Sequence, residues 1–326
     1  MQRYIRLVAL IGFILFAKLL PASAQDHSAQ RIEGVENYNH EWVESIGPLA
    51  LDQNVIKKYS VYPSLSYIGA VTPSPTGGHI AFSLNSSSIW VVRRDGSGLF
   101  CLTTGLKSAH SPSWSKDGKV ITFIKGGDEN NYGDGTIMQV APDGTQMKII
   151  GDIDLRQPRN KIFPSWWYSP DGMYVLRPSG KPLDNNVYVT TVKDQKVVAI
   201  YKSRGSTLGE LWFPNGKEVL IEKFLGHGES ELVVFSLTGK GKVILPRGRM
   251  NLELAIHPSG RLIAYFDDDK NELHFLTKDG SKDHRILKGD PKNFSISAIT
   301  WSPEGDMLIF SSGNQIYFLK LKKQVR

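Results

Sequence analysis

The stretch "PSWSKDGKVITF", Pro112 to Phe123, ends one hydrophobic run in a Ser-Lys-Asp-Gly turn and starts another directly after it. Gly118 supplies the positive backbone dihedral of a tight hairpin, Asp117 caps the turn, and "VITF" reads as a largely buried strand. The pattern x-S-x-D-G-x-x-apolar-x-apolar recurs along the chain. Its other copies are "PSPTGGHIAF" ending at Phe82, "WYSPDGMYVL" ending at Leu176, "WFPNGKEVLI" ending at Ile221, "IHPSGRLIAY" ending at Tyr265 and "WSPEGDMLIF" ending at Phe310. The turn glycines Gly77, Gly118, Gly172, Gly216, Gly260 and Gly305 are 41, 54, 44, 44 and 45 residues apart, the period of a four-stranded propeller blade.

A third strand follows each pair, as in "SIWVV", "NVYVTTV" and "QIYFL", and a fourth follows in most copies, as in "APDGTQMKII". The pattern predicts an all-β chain, a six-bladed β-propeller of four-stranded antiparallel blades. The last repeat stops at "YFLKLKKQVR", leaving its outer strand short. The segment "NVIKKYSVYP" has the length and character to supply that strand. Residues near Val55 to Val61 are therefore expected to pair with the last blade, closing the ring and removing an exposed edge.

The first residues carry Arg3 and Arg6, then an apolar run broken by Lys18, then Ala22-Ser23-Ala24, the pattern of a cleaved export signal. The expected organisation is a signal peptide over 1–24, an N-terminal arm over 25–54 and the propeller over 55–326. Removal of the signal takes away three cations and no acid, leaving 36 basic and 32 acidic residues, a net charge of +4. That balance is too mild for a nucleic-acid footprint, and no membrane span is expected in the mature chain. Cys101 is the one cysteine, so no internal disulfide forms and a large core must stabilise the fold; its apolar setting "LFCLTT" reads as a buried structural thiol.

The repeats resemble those of the TolB-like six-bladed propellers, whose turn is P-x-W-S-P-D-G followed by an "IAF"-like strand. The matching residues are Trp114, Ser115, Asp117 and Gly118; Ser169, Pro170, Asp171 and Gly172; and Trp301, Ser302, Pro303 and Gly305. The fourth copy keeps Trp212, Pro214 and Gly216, and the resemblance covers about residues 60–320. It implies an exported bacterial protein whose propeller presents a binding surface to partner proteins. TolB has a sizeable N-terminal α/β domain, which is expected to be absent here.

In a propeller, the loops joining one blade to the next share a face with the loops joining second and third strands. All six inter-blade segments hold a cation: Lys57 and Lys58; Lys107; Arg156, Arg159 and Lys161; Lys202 and Arg204; Arg247 and Arg249; Lys288 and Lys292. The second-to-third-strand loops hold acids, among them Asp134, Glu222, Glu229, Asp267 and Asp268. A basic ring at the channel mouth focuses positive potential on an anionic partner. Loops also carry charge simply because they are exposed. The expected binding residues are Lys107, His110, Arg159, Lys161, Arg204, Arg247, Arg249 and Trp166. Trp166 and Trp167 should face opposite ways, one into the core and the other free to stack on a sugar or an aromatic partner.

The expected function is that of a non-enzymatic protein-interaction module in the cell envelope or outside the cell. It would be monomeric, would need no cofactor or metal, and would bind an anionic peptide or loop at the channel face. The alternative is a glycan-active lyase or hydrolase with His110, Glu210 and Glu253 in acid-base roles, or a lectin binding an anionic glycan. None of the eight histidines is spaced as a metal-ligand pair, and the calcium-like loop "GGDENNYGDGT" lacks the final bidentate Glu. There is no G-x-S-x-G elbow, phosphate-binding glycine loop or dinucleotide fingerprint.

Overall fold

In the computed structural model the described residues are 40–46, 67–126, 134–154, 167–178, 186–203, 207–227, 229–249, 253–289 and 295–321. The first described strand, β1 (His40–Ile46), belongs to the last blade. Blade 1 is built from β2 (Ile68–Pro73), β3 (His79–Leu84), β4 (Ser88–Arg93) and β5 (Phe100–Cys101). Blade 2 is β6 (Ala109–Trp114), β7 (Ile121–Gly126), β8 (Asp134–Val140) and β9 (Lys148–Asp154). Blade 3 has β10 (Tyr174–Pro178), β11 (Val187–Thr191) and β12 (Val197–Tyr201). Blade 4 is β13 (Thr207–Trp212), β14 (Glu218–Gly226), β15 (Glu229–Ser236) and β16 (Gly241–Arg249). Blade 5 is β17 (Glu253–Ile256), β18 (Leu262–Asp267), β19 (Glu272–Thr277) and β20 (Asp283–Lys288). Blade 6 is β21 (Ala298–Trp301), β22 (Met307–Ser312) and β23 (Gln315–Leu321). All pairings are antiparallel and each blade is one sheet, so the expected all-β six-bladed propeller is what the chain forms. In blade 3, among the described residues, the inner strand position contributes the bridge Tyr168 to Val175.

The strand that completes blade 6 is β1, paired with β23 from His40 opposite Leu321 to Ile46 opposite Ile316. The other edge of β23 is taken by β22. The expected closing strand, Val55 to Val61, lies outside the described residues, and the segment that closes the blade is found upstream, in what was expected to be the arm. An outermost strand has one neighbour and one wet edge, so "HEWVESI", with Glu41 and Glu44, carries a weaker apolar signal than "NVIKKYSVYP".

Apolar strand residues pack between blades rather than within them. Phe82, Trp90 and Val92 of blade 1 meet Met307, Ile309 and Phe318 of blade 6, which closes the ring through the core as well. Similar clusters join blades 1 and 2, 3 and 4, 4 and 5, and 5 and 6. The repeat tryptophans reinforce these seams. The indole N–H of Trp114 donates to Thr72 O at 3.1 Å, that of Trp212 to Trp167 O at 2.8 Å, and that of Trp301 to Ala255 O at 3.2 Å. Each therefore reaches back to the inner strand of the preceding blade, and the residue type follows from the need for a large apolar ring with one donor.

The Ser and Asp of the blade 2 and blade 3 turns are explained in the same way. Ser115 Oγ donates to Asp117 Oδ1 at 2.7 Å and accepts from the amide of Val120 at 3.1 Å, while Asp117 also accepts from the amide of Lys119 at 3.1 Å. Ser169 and Asp171 repeat the arrangement. The hydroxyl's hydrogen bond, with the amide's behind it, holds the Asp117 and Asp171 carboxyls below their ordinary range. Gly305 answers a second demand besides its φ of +73°: a Cβ there would sit 2.6 Å from His257 Nε2, which bonds Gly305 O at 2.8 Å and ties the turns of blades 5 and 6.

Candidate functional site

The first strand of each blade lines the axis: β2 packs against β6 and β21, and β17 against β21. Antiparallel alternation then places the Ser-x-Asp-Gly turns at one mouth of this channel, the turn face, and the inter-blade and second-to-third-strand loops at the other, the loop face. On the turn face the polar groups are largely committed to structure. Lys116 donates to Pro170 O of the next blade, and a side chain on Gly216 would run into the carboxylate of Asp171. Towards this mouth a cleft of about 320 Å³ opens between the inner strands of blades 4, 5 and 6, lined by Leu211, Leu254, Ile256, Pro258, Ile299 and Thr300.

The loop face is built differently, because inner strands are bulged as they approach it. The register shifts between Ile68 and Val71, between His110 and Ser113, and between Thr207 and Gly209. A bulge re-aims the side chains it carries. In β6 the extra residue is Ser111, a non-glycine residue at φ 55°, and its Oγ lies 3.0 Å from His110 Nδ1. Backbone held in this region tends to coincide with function. A side chain on Gly126 would come within 3.8 Å of His110 Nε2, so the imidazole stands at the base of the loop that follows β7. Lys107, three residues upstream, is exposed. Tyr67 joins the same face, its hydroxyl 3.2 Å from Ser86 Oγ.

The other expected site residues fall in different places. Arg159, Lys161, Arg204 and Trp166 lie outside the described residues. Arg247 and Arg249 belong to the end of β16 rather than to a loop, with Arg249 opposite Glu229 in the ladder. His110, Glu210 and Glu253 sit on the inner strands of blades 2, 4 and 5, so His110 and Glu253 belong to opposite blades of the ring. Trp167 packs against the apolar cluster between blades 3 and 4. Cys101 is half-buried, and burial pushes its thiol up, against the hydrogen bonds of Thr104 and Thr103.

Three acids of the expected outer ring are engaged within the fold. Glu222 is buried and accepts from Ser230 Oγ at 3.0 Å. Asp267 is buried too, accepting from the amide of Lys270 at 3.1 Å and from its ammonium at 2.8 Å. Burial raises the Asp268 carboxyl despite a hydrogen bond from Ser295, and the neighbouring Asp269 and Asp267 raise it further. Among the described residues, no group of three or more His, Cys, Asp or Glu is placed to hold a metal, and no helix is long and apolar enough to cross a membrane.

A polar network that the sequence reading missed holds the outer part of blade 5. Tyr265 Oη donates to Asp283 Oδ2 at 2.7 Å, and His274 lies between Asp283 Oδ1 at 3.0 Å and Glu272 Oε2 at 3.2 Å. Arg285 donates to Glu272 Oε1 at 3.1 Å, and the Lys288 ammonium lies 3.4 Å from the same oxygen. Burial and the neighbouring carboxylates push the Tyr265 phenol far up. These residues come from three strands, so only the cross-strand register brings them together; no spacing in the sequence announces them.

No protein-family model matches the chain. A 99-residue stretch is 30% identical to dipeptidyl-peptidase 5 of Porphyromonas endodontalis; the match covers 28% of this chain and only 14% of that protein. Among solved structures, the Cps50 (Swd1) β-propeller domain of Myceliophteria thermophila superposes with a TM-score of 0.57 at 13% identity, over 78% of this chain and 96% of that one. A chain of a mitotic checkpoint complex gives 0.60 at 14%, over 96% and 100%. TolB from Acinetobacter baumannii gives 0.50 at 16%, over 79% of this chain and 55% of TolB. The fold is a TolB-like six-bladed propeller. At these identities the likeness is one of architecture.

Proposed function

We propose that the chain is an exported, non-enzymatic propeller that docks a partner protein in the cell envelope or outside the cell, by gripping an anionic peptide or loop at the loop-face mouth of its channel. The observation that carries this reading is the bulged start of β6, which brings Ser111 Oγ to His110 Nδ1, with exposed Lys107 three residues upstream. One acid of the loop face is already charge-compensated, which strengthens it: Asp267 is ion-paired with Lys270 at 2.8 Å and so subtracts little from the potential of other cations. Export rests on Arg3, Arg6, the apolar run and Ala22-Ser23-Ala24, and an intact mass beginning at Gln25 checks it. The glycan-active alternative needs His110 to converge with Glu210 or Glu253 from blades 4 or 5, and no observation favours it over docking.

Fluorescence anisotropy with a capped hexaglutamate peptide provides the test. Binding should weaken steeply between low and physiological salt, as expected of exposed charge. The triple variant Lys107→Glu, Arg247→Glu, Arg249→Glu should lower affinity by at least about tenfold while the thermal midpoint holds. Unchanged affinity would sink the proposal, as would turnover of uronate oligosaccharides that His110→Ala abolishes.

A further inference from the structure

Six outer strands face solvent around the rim, and five of them carry features that discourage pairing with another chain. β5 is two residues long. β9 carries Lys148, Asp152 and Asp154, β16 carries Pro246 with several charges, β20 carries Asp283, Arg285 and Lys288, and β1 carries Glu41 and Glu44. Short length, charge and proline are the usual devices by which a sheet edge avoids unwanted partners. β12 has none of them. It reads Val197-Val198-Ala199-Ile200-Tyr201, and Val197, Val198 and Ile200 are 45%, 40% and 39% exposed. Val192 and Met173, joined by a backbone hydrogen bond of 2.9 Å, extend the apolar surface at the turn-face end. β12 ends the strand order of blade 3, so its outer row of backbone donors and acceptors faces away from the sheet.

The flanking charges select the occupant. Lys196 and Lys202 bracket the strand and both are exposed. A second copy pairing antiparallel about Ala199, the register that matches the most apolar residues, would set Lys196 opposite Lys202 at both ends. Like charges directly opposite one another destabilise a strand pair. An incoming strand with a carboxylate at each end instead meets a lysine at each end. We propose that β12 is a second docking surface, separate from the channel mouth, which captures by β-augmentation an extended apolar segment of a partner protein flanked by Asp or Glu residues six positions apart. Main-chain hydrogen bonds would supply the affinity, and Lys196 and Lys202 the selectivity.

The probe is a capped seven-residue peptide alternating Val and Thr between two terminal Glu residues, set against the same peptide with terminal Lys residues. The Glu-ended peptide should bind more tightly and should slow amide exchange over residues 197–201. The double variant Lys196→Glu, Lys202→Glu alters only exposed side chains; it should lower affinity for the Glu-ended peptide about tenfold and raise it for the Lys-ended one. Methylating alternate backbone nitrogens of the peptide should abolish binding, since the ladder needs those donors. Equal binding of both peptides, an unchanged preference in the double variant, or protection elsewhere on the propeller would overturn the proposal. So would concentration-dependent dimerisation that Ile200→Lys removes, because the occupant would then be a second copy.

Discussion

Blades 3 and 5 share strand direction, a turn glycine at positive φ and an apolar seam with blade 4, yet their outermost strands are opposites. β20 is tied inward by charge: Asp283 receives Tyr265 and His274, and Arg285 and Lys288 converge on Glu272. β12 has no charged residue along its length and leaves three large apolar side chains in water. The repeat does not require either state, because both blades satisfy the same hairpin and packing rules. What differs is how each edge is finished, and that is where one blade of a repeating fold can acquire a task that its neighbours lack.

The strongest way to break this contrast is to undo the finish on blade 5. Glu272→Ala removes the acceptor shared by His274, Arg285 and Lys288 and should cost about 2–3 kcal/mol of stability, the scale of charged hydrogen bonds at a buried carboxylate. Chemical denaturation should show a lower midpoint with an unchanged slope. Acid acts on the same network. Burial pushes the Glu272 and Asp283 carboxyls up, but hydrogen bonds from their partners outweigh it and leave both below their ordinary values. Their contribution is therefore fully present above those ordinary values and fades as pH falls below about 4 and through the folded values. Amides of β20 should lose exchange protection over that window in the parent protein but show a much smaller change in Glu272→Ala. A variant as stable as the parent at neutral pH would mean that the network is ornamental, and blades 3 and 5 would differ in appearance only.

The architecture was legible because its demands fall on residues close together in the chain. Gly118, Asp117 and Ser115 act within one turn, and the Trp at the end of the inner strand makes a contact that recurs in every second blade. The closing strand was less legible, since "HEWVESI" satisfies only one neighbour and can be half polar. At the loop face, His110 and Lys107 could be nominated from blade geometry, but the bulge that turns Ser111 beside His110 could not, because a one-residue slip leaves the apolar pattern nearly unchanged. The committed state of Glu222 and Asp267 was hidden for another reason: an acid near a strand end reads as a loop charge until the cross-strand partner is known. Register was also the missing information for Tyr265, His274 and Asp283.

The gentlest perturbation falls on blade 3, and its size decides whether the edge is open. Val198→Lys or Ile200→Lys places a charge where the present side chain is already 40% or 39% exposed, so each should change stability by less than about 0.5 kcal/mol. Ala199 is the informative control on the same strand: it is only 7% exposed and packs into the seam with blade 4, so Ala199→Lys should be severely destabilising. Thermal denaturation of the three single variants compares the two sides of one strand under identical conditions. A loss of 2 kcal/mol or more at Val198 or Ile200 would mean that part of the same chain covers β12 in solution. The edge would then be finished by a different device from that of blade 5 rather than left open, and the proposed docking surface would be gone.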